Sequence, residues 1–321
     1  MKPILDELIG GDRRSIGKIV RQMNKTTGNE VVAMKKLLLA GLAAVFLTTG
    51  CGDAESPWSA EEVVTISGLN QPESALYEPE SGLVYVSNID CKPGENWVDD
   101  GKGYISVMGE DNIVKATPLV ESTSSGVINA PKGMCVLDSF LYFTDNSRVM
   151  RCTLSGDGLE VVADGFAGAN DLATDGREVW VSDGAAGKIF AIAPDGEKRE
   201  IQSPPGINGL TFFGEQMFGV SWATHDIYEL DPAGEKAPVA FGLARHFKAL
   251  DGIEVLDDGT FIVSDMVGNK VFTVSPDRST ASKLLDIPGP ADIGLNRKDS
   301  LLYVPQTDKS ELAIFRLKAR I

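Results

Sequence analysis

The sequence predicts an all-β fold built from one repeated unit, on three observations. A hairpin pattern recurs six times from residue 61 onward. Its copies are 38 to 59 residues apart. A further polar loop and apolar strand follow each of the last five copies. The clearest copy is FKALDGIEVLDDGTFIVSD, Phe247 to Asp265. An apolar strand (Ile253 to Leu256) meets an Asp257-Asp258-Gly259 turn and returns as Phe261 to Ser264. Two short apolar runs around a DDG turn read as a β-hairpin, with glycine supplying the positive φ.

Aligned on the position of Asp251, the copies are PESALYEPESGLVYVSN (Glu73), PKGMCVLDSFLYFTD (Lys132), ANDLATDGREVWVSD (Asn170), INGLTFFGEQMFGVSW (Asn208), LDGIEVLDDGTFIVSD (Asp251) and ADIGLNRKDSLLYVPQ (Asp292). Third strands are expected at Val149 to Leu154, Lys188 to Ile192, Asp226 to Leu230, Lys270 to Val274 and Glu311 to Leu317. Repeats near 40 residues with about four short strands each are the pattern of propeller blades. The chain therefore reads as a six-bladed β-propeller over residues 61–321. A sandwich does not repeat its hairpin six times, and the 3.6-residue periodicity of helical solenoids is absent. Glu62 to Ile66 is a strand with no blade of its own. It is expected to supply the outer strand of the sixth blade and so close the ring. The long first interval contains Cys91 to Gly103, CKPGENWVDDGKG, expected as a surface loop near the mouth of the channel.

Upstream, Met34 opens MKKLLLAGLAAVFLTTGC. A positive start, an apolar run from Leu37 to Leu47 and small residues before Cys51 make a secretory signal over 34–50. The run is too short to span a bilayer, which takes roughly 20 residues. Gly50-Cys51 resembles a bacterial lipoprotein signal, in which Cys51 carries the lipid, although Leu47 lies one residue earlier than usual and Thr48 takes its place. Residues 51–60 then read as a tether. Residues 1–33 precede a complete signal with its own Met, so they are expected to be a mis-called start or a disordered extension. The expected protein is exported and membrane-anchored through lipid, facing the periplasm or cell exterior, and monomeric.

The formal charge is −16. Without the first 50 residues, 22 basic face 42 acidic residues, a formal −20. Such a surface repels phosphate backbones and excludes ordinary nucleic-acid binding. Cys91, Cys135 and Cys152 allow at most one internal disulfide, and no Cys/His metal spacing exists.

In a propeller the first strand of each blade lines the central channel. Glu73, Lys132, Asn170, Asn208, Asp251 and Asp292 are thus expected as one polar ring at one end. Three converging carboxylates need a cation, a proton or Lys132 between them. Oxygen donors suit Ca²⁺, Mg²⁺ or Mn²⁺; a merely wet channel accounts for the same residues. His225 and His246 fall in loops expected on the same face, where solvent exposure is their ordinary role. Asp145, Asp183 and Asp265, at second-strand ends, read as turn and cap acceptors. There is no G-x-S-x-G motif for a serine nucleophile.

The units PES-A-LYEPESGLVYV, AND-LATDG, ING-L and LDG-I resemble those of the regucalcin/gluconolactonase family (senescence marker protein type), over residues 61–321. The resemblance implies a six-bladed propeller that hydrolyses sugar lactones and related esters with one divalent cation. It implies Glu73, Asn208 and Asp251 as cation ligands, Asn170 as a substrate contact, and Asp251 as the base that activates water. The cation is expected to be Ca²⁺, with Zn²⁺, Mg²⁺ and Mn²⁺ as alternatives. Lys132 and Asp292 are additional substrate-binding candidates. The chain departs from the family at Ser74-Ala75, at Gly168 where an arginine is usual, and at Lys132. Two functions follow: a metal-dependent lactone or ester hydrolase, or a noncatalytic propeller binding a small ligand or an envelope protein.

Overall fold

The computed structural model describes residues 54–92, 94–124 and 126–320. The signal segment 34–50, Cys51 and the extension 1–33 lie outside the described residues. Among these residues the chain forms 25 strands and two short 3-10 turns; the strands make six sheets, antiparallel except for one two-residue edge strand. Blade 1 is Pro72–Glu78, Leu83–Asn88, Tyr104–Met108 and Val114–Glu121. Blade 2 is Pro131–Leu137, Phe140–Asp145, Arg148–Thr153 and Glu160–Asp164. Blade 3 is Ala169–Thr174, Val179–Asp183, Lys188–Ile192 and Lys198–Ile201. Blade 4 is Ile207–Phe213, Gln216–Ser221, Ile227–Leu230 and Val239–Ala240. Blade 5 is Leu250–Val255, Phe261–Asp265, Lys270–Val274 and Ala281–Asp286.

Blade 6 is made from both ends of the described chain. Gly294–Asn296, Leu301–Gln306 and Glu311–Ala319 are joined on the outside by Trp58–Ser67, which pairs antiparallel with Glu311–Ala319. The expected closing strand is therefore present and longer than Glu62 to Ile66. The propeller also begins earlier than residue 61. Ala54–Glu55 pairs in parallel with the outer strand of blade 5, and Ser56 Oγ shares a 2.7 Å hydrogen bond with Thr273 Oγ1. Residues 54–60 are thus part of the fold rather than tether. Backbone pairing outcompetes solvation once an edge lies within reach.

The core lies between blades, as six apolar layers of mostly β-branched and aromatic side chains. Trp180, Tyr85, Tyr303, Phe143, Phe218 and Phe272 are fully buried there. Phe218 of blade 4 meets Phe261 of blade 5 edge-to-face at 4.9 Å, a favoured aromatic geometry. The Asp257-Asp258-Gly259 turn forms as the sequence requires. Gly259 sits at φ +83, and Asp258 Oδ1 accepts the Thr260 N–H at 2.9 Å.

The aspartates that end the second strands of blades 2, 3 and 5 hold the entries to those blades. Asp145 Oδ1 accepts from the N–H groups of Asn129 and Ala130, at 2.9 and 2.7 Å, and Oδ2 from Arg148. Asp183 takes Ala167 and Gly168, and Asp265 takes Lys248 and Ala249. Each fixes the backbone two to three residues before the ring position. Cys91, Cys135 and Cys152 are all free thiols, so the single bridge that three cysteines allow is not made.

Candidate functional site

The inner strands of blades 1 to 5 bulge where they meet the axis. In blades 1 to 5 the register shifts between the first paired residue and the one three places on, as between Pro72 and Ala75 or Leu250 and Ile253. A bulge holds one extra residue and re-aims side chains. The residue just after the first pair is Glu73, Lys132, Asn170, Asn208 or Asp251. These five line one cavity of about 380 Å³ at the mouth of the channel.

The sixth expected member lies elsewhere. In blade 6 the pair that matches Pro72–Asn88 is Pro290–Gln306, so Ala291 holds the ring position and Asp292 falls one residue later. Asp292 accepts a hydrogen bond from Ser74 Oγ at 2.6 Å and lines a second cavity of about 250 Å³ toward the other end of the axis. A one-residue slip moves a side chain to another surface. The Gly after Lys132, Asn208 and Asp251 has a packing cause. A Cβ on Gly209 would lie 2.3 Å from the Asp251 carbonyl oxygen, and one on Gly252 2.5 Å from the Ile293 nitrogen.

At the mouth, Asn208 Nδ2 donates to Asp251 Oδ1 at 2.7 Å. Glu73 is 7% exposed, and its Oε2 is buried without a hydrogen-bond partner. Lys132 Nζ donates to the Ala130 carbonyl at 2.8 Å and to Asn146 Oδ1 at 3.0 Å. The Trp97 ring covers it, 3.9 Å from the centroid. Trp97 comes from the 91–103 insertion, which does reach the mouth. Asp99 Oδ1 accepts from Asn146 Nδ2 at 2.7 Å and pins that loop to blade 2. Asn170 is half-buried in the cavity wall, and its carbonyl accepts from Thr144.

Burial drives the Glu73 carboxyl well above its usual range, helped by Asp251 and Asp292 and opposed by Lys132. Burial pushes Asp251 up to about 7, against the hydrogen bond from Asn208. Burial lowers the Lys132 ammonium to about 8, against the pull of Glu73 and Asp145. One layer below, burial also raises Asp171, although it accepts the N–H groups of Leu172 and Leu210. Desolvation favours the uncharged form of each, which is the protonated form of the three carboxyls and the deprotonated form of Lys132.

Among the described residues no group of three or more His, Cys, Asp or Glu side chains forms a metal cluster. The mouth instead offers two carboxylates and an amide, a hard oxygen set. The unpartnered Glu73 Oε2 is what a cation would satisfy, so Glu73, Asn208 and Asp251 fit such an ion. Neither histidine lines the cavity: His225 sits at φ 59 with a buried, unpartnered Nδ1, and His246 lies against Phe247. The sequence reading missed Asp171, Trp97 and Trp222. Asp171 was visible as the second letter of the N-D pair.

No known family profile matches the sequence, and no curated protein matches it. Solved structures share its fold. A putative gluconolactonase matches 84% of this chain and 98% of its own, at 18% identity and TM-score 0.61. A gluconolactonase from Xanthomonas campestris matches 83% and 96%, at 14% identity and TM-score 0.61. A luciferin-regenerating enzyme matches 81% and 95%, at 12% identity and TM-score 0.61. At these identities the likeness is one of fold.

Proposed function

We propose that the cavity at the mouth is a hydrolytic site for a lactone or ester, with Glu73, Asn208 and Asp251 holding one divalent cation, Ca²⁺ in the first instance. The observation that carries this reading is Glu73, a buried carboxylate with an unpartnered oxygen beside a second buried carboxylate. The gluconolactonases that share the fold support it. The bound cation would supply a Lewis acid that polarises an ester carbonyl.

The chain's own groups supply the rest. Asn208 fixes the orientation of the Asp251 carboxylate through Oδ1. Asp251, buried at the mouth and held by Asn208, is suited to take a proton from an attacking water. Asn170 on the wall can orient the substrate, and burial keeps bulk water from screening the charges. Calorimetric titration with Ca²⁺, Mg²⁺, Mn²⁺ and Zn²⁺ tests the reading. Binding lost in both Glu73→Gln and Asp251→Asn supports it; no binding by the parent protein removes it.

A noncatalytic ligand-binding propeller is the second reading, and Lys132 favours it. Its buried ammonium already offsets part of the carboxylate charge at the mouth. Export and lipid anchoring through Cys51 remain our proposal from the signal segment. Metabolic labelling with a radioactive fatty acid tests it, with incorporation expected in the parent and abolished in Cys51→Ser.

A further inference from the structure

Trp97 sits where another side chain could have been. A Cβ added to Gly168 would lie 3.6 Å from Trp97 Cζ3 and 3.0 Å from the Ala185 Cβ. The indole thus covers the space in front of Gly168 while also standing over Lys132 Nζ. The 91–103 loop that carries it is tied down at Asp99 and at Gly101, whose N–H donates to Asn129 Oδ1 at 3.1 Å. Trp97 nevertheless stays 50% exposed. Lys132 takes its cation-binding surface, and the remainder is an apolar plane on the cavity wall. Trp222, 40% exposed, and Met266 line the same cavity, as do Ile207 and Ala185.

Such walls suit some ligands and not others. A polyhydroxylated ring needs a hydrogen-bonding partner for each hydroxyl it buries, or it loses the water it leaves. The indole plane, Ala185 and Gly168 offer none, and the side-chain amides of Asn96 and Asn170 line the same cavity. A flat apolar ring needs only surface to stack on, which exposed tryptophans provide. An organic cation would compete with Lys132 for the indole it most prefers.

We propose that the ligand carries an aromatic ring that stacks on Trp97 while its polar end reaches Glu73 and Asp251. The substrate class is an aryl- or arylalkyl-substituted lactone or ester. The ester part rests on the hydrolase reading; the aryl part rests on the wall alone. Hydrolysis adds water across the acyl C–O bond and, from a lactone, leaves an aryl-bearing hydroxy acid.

The test has two arms. The first is calorimetric binding of 3-phenylpropionate and of gluconate to the protein, to Trp97→Ala and to Trp97→Phe. The second is kcat/KM, with Ca²⁺ present, for γ-phenyl-γ-butyrolactone, γ-cyclohexyl-γ-butyrolactone and glucono-δ-lactone. The aryl acid is expected to bind more tightly than gluconate, and the aryl lactone to be preferred roughly tenfold over its alkyl counterpart. Trp97→Ala should cut that ratio by about tenfold and Trp97→Phe should restore most of it. A preference for the sugar lactone, or an aryl-to-alkyl ratio untouched by Trp97→Ala, overturns the aryl assignment and leaves hydrolysis standing. Trp97-dependent binding of the aryl acid without turnover of any lactone upholds the assignment and overturns hydrolysis. Neither binding nor turnover overturns both.

Discussion

Asn208 of blade 4 and Asp251 of blade 5 meet across the channel mouth through a 2.7 Å hydrogen bond between Nδ2 and Oδ1. The contact uses the amide as a donor, so it favours a charged Asp251 while burial disfavours one. Asp251→Asn removes the charge and keeps the shape. It should raise the melting temperature at about pH 8 without divalent cation, and lower turnover by about 10² or more. Differential scanning calorimetry beside a lactone assay reads both. A destabilised Asp251→Asn would mean that the carboxylate serves packing.

Stability should depend on pH in a direction set by the channel. Asp251 rises from 3.8 to about 7 on folding, so the folded state binds its proton more tightly. That stabilisation is complete below 3.8 and is lost as pH rises through about 7. Glu73, Asp171 and Asp292 are raised as well and act in the same sense. Without divalent cation the melting temperature should therefore fall between about pH 5 and about pH 8. Saturating Ca²⁺ should flatten the slope, because the ion replaces the protons. A flat profile without cation would show that these groups titrate normally.

How much of this was legible follows from what each residue answers to. The ring positions in blades 1 to 5 could be read because a local pattern marks them: a polar residue after the first strand residue, three times followed by a Gly that the next blade's backbone requires. Blade 6 misled because its inner strand is only Gly294–Asn296 and its first pair is the isolated Pro290–Gln306 bridge. Nothing local separates Ala291 from Asp292; the register of the whole blade does. Trp97 was hidden for another reason. Its contacts with Lys132 and Gly168 join a loop of blade 1 to the inner strand of blade 2 and the entry to blade 3, and no short-range pattern encodes them. The start of the fold at residue 54 depended likewise on an edge supplied some 230 residues away.

The aspartates at the second-strand ends should be stability residues. Asp145→Ala leaves the N–H groups of Asn129 and Ala130 without their acceptor and Arg148 without its partner. A cost of about 2–4 kcal/mol is expected, read by urea denaturation. A loss below about 0.5 kcal/mol would show that water replaces the carboxylate fully.

Thiol chemistry should separate the cysteines. Cys135 and Cys152 are buried and burial raises both thiols, Cys152 to about 12. Cys91 is half-buried at the mouth, its thiol raised less. Of these three, only Cys91 should react with an aromatic disulfide reagent in the native protein, and all three after denaturation. Rapid native labelling of Cys135 would contradict the packing between blades 2 and 3.

The pairing of Trp58–Ser67 with Glu311–Ala319 sets the order in which the molecule can be finished. The ribosome makes one of these strands near the start of the propeller and the other at its very end. Five blades can form while the first strand waits, and its backbone has no partner until Glu311–Ala319 emerges. A chain that lacks Glu311–Ala319 has an open ring and two bare edges, a form that quality control can recognise and that adheres to its own kind.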